Sequence, residues 1–223
     1  AVGKRYALLQ RLGEMSEPFG KNQTGSSAMA YKRNPMRSER MCSLGRYLML
    51  MPAHADFTAG TQWFERTLDD SAIRRITIPE SFLAADAVLN LYLNVSEGMN
   101  VHPKVIERNL ADQLPFMATE NVLMAAVQKG GDRQELHELI RQHSIAAADA
   151  MRNEGADNDL LDRLARDDRI PLDAAEIADI VDVRQFIGRA PEQVTEFLDT
   201  EVAPVLDTAR AEGFLGLRSD VNV

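Results

Sequence analysis

The sequence lacks the features of secreted and membrane proteins. Its 223 residues include one cysteine, Cys42, so no disulfide can form within the chain. No apolar run approaches the ~18 residues of a membrane span, and the first residues lack the pattern of a secretory signal. We therefore expect a cytoplasmic protein without a membrane partner. Because the chain begins with Ala1, we also expect a processed or partial product.

Alternation of apolar and polar residues is also missing, which argues against a sheet. Glycine and proline are scarce, at 13 and 9 residues, whereas hydrophobic residues make up 45% of the chain. This composition excludes a disordered chain, since it can bury a sizeable core. The spacing of the apolar residues is helical throughout, and we predict an all-α fold.

The charge of the chain is unevenly distributed. Residues 1–50 contain nine Lys and Arg against three Glu, a net charge of +6. The whole chain carries −9, so residues 51–223 carry −15. A local basic segment on an acidic chain argues against nucleic acid as a partner and suits a pocket for a small anion. A solvated, charged helix surface would give the same pattern.

The first long helix is predicted to start at Asn34 and Pro35, which suit the N-cap and the first helical position. We expect it to run for about four turns, until Pro52. Its apolar stripe recurs every three or four residues and consists of Met41, Leu44, Leu48 and Met51.

A second helix is predicted from the sequence 67–70, which resembles a capping box, with Pro79 separating a further segment. That segment is apolar enough for the interior of a helical bundle. Its stripe consists of Phe82, Ala85, Leu89 and Leu93.

The pattern changes near residues 98–103, where we place a domain boundary. Residues 1–101 are then one helical-bundle region and residues 102–223 a smaller helical C-terminal domain. Shorter helices are predicted in the latter, and Pro191 suits the first turn of the last apolar stripe. The residues predicted to separate these helices are Gly130, Gly131, Gly155, Pro171 and Gly188.

Residues 25–35 follow a loop rich in small and polar residues and read Gly-Ser-Ser-Ala-Met-Ala-Tyr-Lys-Arg-Asn-Pro. This segment resembles the GSSxMPxKxN signature of the fumarase/aspartase superfamily. Its continuation through residue 40, together with residues 62–71 and 114–121, resembles the adenylosuccinate lyase branch. Ala30 stands where the family usually has proline, which predicts a cost of up to ~1 kcal/mol in ordering the loop.

The resemblance implies that Ser26 is the base that removes a carbon-bound proton, with Lys32 stabilising negative charge. Asn34 would help to hold a substrate carboxylate, and Ser27 is the adjacent rival for the role of base. The resemblance also implies that Ser27, Met29 and Arg40 border the substrate. A glycine-flanked loop lets backbone N–H groups approach the reacting oxygen, which suits this chemistry.

A second set of residues, Arg66, Ser71 and Arg75, has a spacing that suits a phosphate group. Ser71 and Arg75 lie four residues apart and therefore on one face of a helix. The guanidinium of arginine can donate two parallel hydrogen bonds to a phosphate. The resemblance implies that the three residues contact the phosphate of a nucleotide substrate. Without it, an exposed helix whose arginines pair with Asp69 and Asp70 explains the pattern equally.

The four histidines, His54, His102, His137 and His143, are scattered without metal-ligand spacing. We expect no metal and no cofactor, and we interpret these histidines as structural or surface residues. The general acid of the family lies in an earlier region that has no counterpart here. We therefore expect the isolated chain to be inactive without an N-terminal portion of the same enzyme.

The resemblance implies a purine-biosynthetic lyase that converts adenylosuccinate to AMP and fumarate and also cleaves succinylaminoimidazole-carboxamide ribotide. It also implies a homotetramer with active sites assembled from several chains. Two alternatives stay open: another fumarate-releasing lyase such as argininosuccinate lyase, or a helical assembly fragment without catalytic activity. Only nucleotide substrates carry a phosphate, so the second set of residues separates the two lyases.

Overall fold

The computed structural model describes residues 1–20, 23–64 and 68–214. The described residues form two compact units, residues 1–103 and residues 104–214. Helices make up most of both units, which confirms the prediction of an all-α fold.

Two long antiparallel helices dominate the first unit. The helices of this unit are α1 (Val2–Arg11), α2 (Met36–Thr61) and α3 (Asp70–Glu97). Arg37, at the start of α2, donates a hydrogen bond to Asn94, near the end of α3. At the opposite end, the last turns of α2 and the first turns of α3 line one groove. The two helices therefore lie side by side over most of their length.

Two prolines that we expected to interrupt helices lie inside them. The prediction that the first helix stops at Pro52 is wrong, because α2 continues to Thr61. The prediction that Pro79 separates two segments is also wrong, because α3 passes through it. A proline inside a helix removes one hydrogen bond and costs ~3 kcal/mol. Packing of the two long helices against each other offsets this local cost.

The start of α2 is capped from a distant part of the chain. The helix begins at Met36, and the predicted cap, Asn34, instead donates its side-chain amide to the carbonyl of Gly25 at 2.9 Å. The carboxylate of Glu17 accepts hydrogen bonds from the backbone N–H groups of Arg37 and Ser38, both at 3.0 Å. Glu17 thus satisfies two donors that a helix start leaves free, and the predicted cap is wrong.

A two-stranded antiparallel ladder, absent from the predictions, closes the first unit. It joins β1 (Met15–Ser16) to β2 (Asn100–Val101), which comes directly after α3. The backbone N–H of His102 extends it by donating to the carbonyl of Glu14 at 2.9 Å. Strands of two residues are too short to show a period of two in the sequence, so the pattern gave no signal.

The core of the first unit is small. Its buried cluster consists of Met41, Leu91 and Val95. The predicted stripe of α3 lies largely outside this cluster: Phe82 is 75% exposed, Leu89 61% and Leu93 51%. The stripe is therefore a continuous apolar face that the described part of the chain does not cover.

Helix α3 is also long and apolar enough to pass a minimal test for a membrane span, contrary to our expectation from the sequence. Its most apolar 18-residue stretch has a mean hydropathy of 1.2. The core helix of a soluble protein passes the same test. The apolar part of α3 includes the carboxylates of Glu80 and Asp86, which are costly in a bilayer and favour a helix packed within protein.

The second unit consists of helices that enclose a core between residues 116 and 181, followed by helices without buried residues. Its helices are α4 (Pro103–Met117), α5 (Thr119–Gln128), α6 (Arg133–Glu154), α7 (Leu160–Ala165), α8 (Ala174–Ile180), α9 (Ala190–Phe197) and α10 (Ala203–Ala211). A 3₁₀ turn (Val183–Phe186) precedes α9, and a π-helical segment (Leu198–Val202) joins α9 to α10. The predicted helix breaks are confirmed, as is Pro191 in the first turn of α9.

Local signals define the ends of these helices. The side chain of Asp132 accepts hydrogen bonds from two N–H groups at the start of α6. Gly155 ends this helix in the left-handed conformation, at φ 67°, and Asp173 and Glu176 form a capping box on α8. The core is fully enclosed, and its most buried residues are Val122, Ala126, Ala147, Leu160, Leu164 and Ile177.

Candidate active site

Residues 25–34, here called the signature loop, lie between β1 and α2 and fold back on themselves. Gly25 is required by this shape, because a Cβ atom at its position would lie 2.0 Å from the carbonyl oxygen of Lys32. The side chain of Asn34 closes the same contact by binding the Gly25 carbonyl. Gly25 and Asn34 therefore bring the two ends of the loop together.

The hydroxyl of Ser26 lies in a turn that favours negative charge on its oxygen. Its Oγ accepts hydrogen bonds from the backbone N–H groups of Ala28, at 3.3 Å, and Met29, at 3.2 Å. Hydrogen bonds to an oxygen favour its ionised form. Ser26 is half-buried, whereas Ser27 is exposed and makes no side-chain hydrogen bond to a described residue. This asymmetry favours Ser26 over its neighbour as a base.

Lys32 and Met29 project from the signature loop. Lys32 is exposed and makes no ion pair with a described residue, so its ammonium group is available to an anion. Met29 is 41% exposed, and its sulfur accepts a hydrogen bond from the hydroxyl of Tyr31 at 3.9 Å. The guanidinium of Arg33 lies 5.0 Å from the centre of the Phe19 ring, a cation–π contact.

A buried polar cluster lies beneath the loop, and sequence reasoning missed it. Arg37 is 8% exposed and donates to Asn94 at 2.6 Å and to Gln23 at 3.4 Å. Glu17, at 4% exposure, binds the start of α2. These partners lie up to 57 residues apart in the sequence, so no local spacing could have indicated them.

Arg40 lies one turn beyond this cluster on the exposed side of α2. It makes no ion pair with a residue that the structure describes. Its contact with substrate stays a prediction.

The second set of residues lies at the other end of the helix pair. Arg66 falls outside the described residues, as does Thr67 of the predicted capping box. Ser71 is half-buried in the first turn of α3, and Arg75 is exposed one turn later on the same face. The alternative pairing holds in part, because Arg74 forms an ion pair with Asp70 at 3.4 Å.

The two sets of residues do not meet within one chain. Arg37, next to the signature loop, binds Asn94 on α3. Ser71 precedes Asn94 by 23 residues on the same helix, which at 1.5 Å per residue corresponds to roughly 35 Å. A nucleotide substrate cannot bridge that distance, so one chain does not bring its own Ser26 and Ser71 to one substrate.

Within the described part of the chain, none of the four histidines makes a hydrogen bond to Ser26. His102 makes a 3.2 Å hydrogen bond with Ser16, and His143 makes one of 2.8 Å with Asp167. Arg169 and then His143 hold the pKa of Asp167 well below its usual range. Among residues 1–20, 23–64 and 68–214 there is no group of three potential metal ligands.

Comparison with solved structures defines the class of this fold. The chain resembles the 3-carboxy-cis,cis-muconate lactonizing enzyme of Pseudomonas putida, with a TM-score of 0.74, 23% identity and coverage of 89% of this chain and 43% of that one. It also resembles a fumarate lyase from Mesorhizobium sp. BNC1, with a TM-score of 0.68, 20% identity and coverage of 90% and 43%. The chain therefore shares part of the helical fold of these two enzymes.

Sequence comparison finds relatives among the adenylosuccinate lyases. Residues 115–197 match the family described as adenylosuccinate lyase C-terminus. The chain is 53% identical over 195 residues to adenylosuccinate lyase of Saccharomyces cerevisiae, covering 87% of this chain and 40% of the relative. The predicted resemblance to adenylosuccinate lyases is confirmed, and the chain spans less than half the length of that relative.

Proposed function

We propose that this chain forms part of a lyase that eliminates fumarate from adenylosuccinate to give AMP, and from succinylaminoimidazole-carboxamide ribotide, in purine biosynthesis. The observation that carries the proposal is the turn around Ser26, in which two backbone N–H groups face the hydroxyl oxygen. Sequence similarity to adenylosuccinate lyase of Saccharomyces cerevisiae supports the choice of substrate. A cytoplasmic location fits a chain with one cysteine.

In the proposed reaction, Ser26 removes a proton from the carbon β to the leaving nitrogen of the succinyl group. The electron pair of that C–H bond is first delocalised into the adjacent carboxylate, and it then forms the double bond of fumarate as the C–N bond breaks. The intermediate carries negative charge on a carboxylate, which Lys32 stabilises because it is a cation without a competing ion pair among the described residues. A general acid from outside these residues supplies the proton that the leaving nitrogen takes up.

The proposed site needs more than one chain. Roughly 35 Å along α3 separate Ser71 from Asn94, which binds Arg37 beside the signature loop. This separation fits a substrate that lies between the loop of one subunit and the phosphate-binding residues of another. The exposed apolar face of α3, which includes Phe82, Leu89 and Leu93, supports assembly into a shared bundle. We propose a homotetramer, completed by an N-terminal portion that supplies the acid.

The experiment compares the isolated chain with a chimera in which it replaces its counterpart in the Saccharomyces cerevisiae relative. We expect the chimera to release fumarate from adenylosuccinate, and the isolated chain to associate in light scattering without turnover. Argininosuccinate should not be cleaved. Turnover by the isolated chain would contradict the inference that the general acid comes from another part of the enzyme. A chimera that assembles without turnover would favour a helical assembly fragment without catalytic activity.

A further inference from the structure

Two side chains outside the proposed reaction hold the base of the signature loop. They are Gln10, on α1, and Glu17, directly after β1. Neither belongs to the motif that predicted the site, and neither was identified from the sequence. Their hydrogen bonds, however, connect the segments that enter and leave the loop.

Glu17 joins the segment before the loop to the helix after it. Its carboxylate accepts hydrogen bonds from Arg37 N and Ser38 N at 3.0 Å and from Ser38 Oγ at 3.1 Å. Glu17 is 4% exposed and Ser38 is fully buried. Burying a carboxylate costs free energy unless hydrogen-bond donors replace the water that it loses. These three donors therefore fix the position of the Glu17 carboxylate.

Gln10 binds both sides of the loop with one amide group. Its Oε1 accepts a hydrogen bond from the backbone N–H of Glu17 at 3.0 Å. Its Nε2 donates to the carbonyl of Arg33 at 2.9 Å. The amide therefore sets the spacing between the incoming chain and the end of the signature loop, next to Lys32.

We propose that Glu17 and Gln10 are positioning residues that hold the signature loop so that Ser26 and Lys32 meet the substrate. The inference rests on the proposed function of the loop. It identifies a fixed base beneath an exposed, reactive loop. Reaction rates fall steeply with small displacements of catalytic groups. Losing either contact should therefore reduce the rate of the chemical step more than it reduces ligand binding at a distance from the loop.

The test uses Glu17→Gln and Gln10→Met in the complete assembly. Glu17→Gln replaces one carboxylate oxygen with an NH₂ group, which cannot accept the hydrogen bonds from the start of α2. Gln10→Met keeps the length of the side chain but removes its two hydrogen bonds. We expect single-turnover cleavage of adenylosuccinate to fall at least tenfold in Glu17→Gln and severalfold in Gln10→Met. The affinity for AMP should change less than threefold, because Ser71 and Arg75 lie far along α3. Glu17→Asp, which keeps the charge, should restore part of the rate.

The control is Leu91→Ala, which removes a buried side chain of the same unit without touching the loop. If it lowers the single-turnover rate as much as Glu17→Gln at full AMP-binding stoichiometry, the positioning role is refuted. Equal losses of rate and AMP binding in Glu17→Gln would refute it too, because general unfolding would explain them.

A measurement independent of turnover separates this inference from the proposed function. Lys32 and Arg33 are exposed trypsin sites within the loop. We expect trypsin to cleave there at least threefold faster in Glu17→Gln and Gln10→Met than in wild type or Leu91→Ala. Unchanged cleavage would overturn the positioning role even if the wild-type assembly is active. Faster cleavage in variants of an assembly whose wild type is inactive would refute only the proposed substrate.

Discussion

The two units of this chain bury their apolar side chains to different extents. In residues 104–214, Leu160, Leu164 and Ile177 are almost completely buried within the unit. In residues 1–103, the two longest helices enclose a small cluster and leave Phe82 and Leu89 mostly exposed. Residues 116–181 of the second unit therefore enclose a core of their own, whereas α3 in the first unit leaves an apolar face exposed in the described part of the chain. The last helices of the second unit resemble α3 in this respect, since Phe197 is 59% and Val205 66% exposed.

The candidate chemistry lies in the first unit. Its signature loop is exposed at Lys32, and the buried side chains of Glu17 and Arg37 make polar contacts with the segments on either side of it. The contrast shows that exposed candidate side chains and buried polar contacts lie side by side in this unit. Four predictions test the comparison.

The largest effect is expected for Ser26→Ala. A general base contributes roughly 10²–10⁴-fold to the rate, so single-turnover cleavage in the complete assembly should nearly disappear while substrate affinity stays within a small factor. Ser27→Ala, which removes an exposed hydroxyl with no side-chain hydrogen bond to a described residue, should be much milder. If Ser27→Ala is inactive and Ser26→Ala is active, the base is the second serine.

Truncation of a core residue should distinguish the units. Leu164→Ala in the second unit should lower the free energy of unfolding by about 2–5 kcal/mol, because Leu164 is completely buried. Phe82→Ala should change it by about 0.5 kcal/mol or less in dilute, unassociated chain. Denaturant unfolding measures both. Phe82→Ala should instead weaken association in light scattering, and a large stability loss there would contradict an exposed face.

Arg75→Ala tests the remote phosphate site in the complete assembly. Losing one charge-assisted hydrogen bond should weaken AMP binding by about 1.5–3 kcal/mol and leave adenosine and fumarate nearly unaffected. Calorimetry measures these affinities. Arg74→Ala is the control, since Arg74 is already paired with Asp70. Equal losses for AMP and adenosine would remove Arg75 from the phosphate site.

The smallest effect is expected from Asp167, in the second unit. Arg169 and His143 lower the pKa of its carboxyl in the folded chain. This contribution to stability is therefore full well above pH ~4, the usual range of an unfolded Asp, and declines as the pH falls below it. Asp167→Asn should have a lower free energy of unfolding than wild type at pH 7, and this difference should shrink as the pH falls to 3. Denaturant unfolding at several pH values measures it. Asp168→Asn, an exposed neighbour, should show no such trend.

The signature loop could be predicted from local sequence because its function needs particular residue types at fixed spacing. Ser26, Lys32 and Asn34 are predicted site residues on this ground. The role of Asn34 in closing the loop on Gly25 was not, since it depends on the path of the backbone. Gln10 and Glu17 gave no signal, because a buried polar residue looks like a surface residue until its partners are known.

Sequence by itself determined the helical class, the resemblance to adenylosuccinate lyases and the breaks between the shorter helices, because apolar spacing, motif residues and glycines act over a few positions. Only the tertiary structure decided that Pro52 and Pro79 lie inside long helices and that Glu17 caps α2. It also placed the signature loop and Ser71 at opposite ends of one helix pair. These outcomes depend on packing between distant segments, whose energies outweigh the local preferences of single residues.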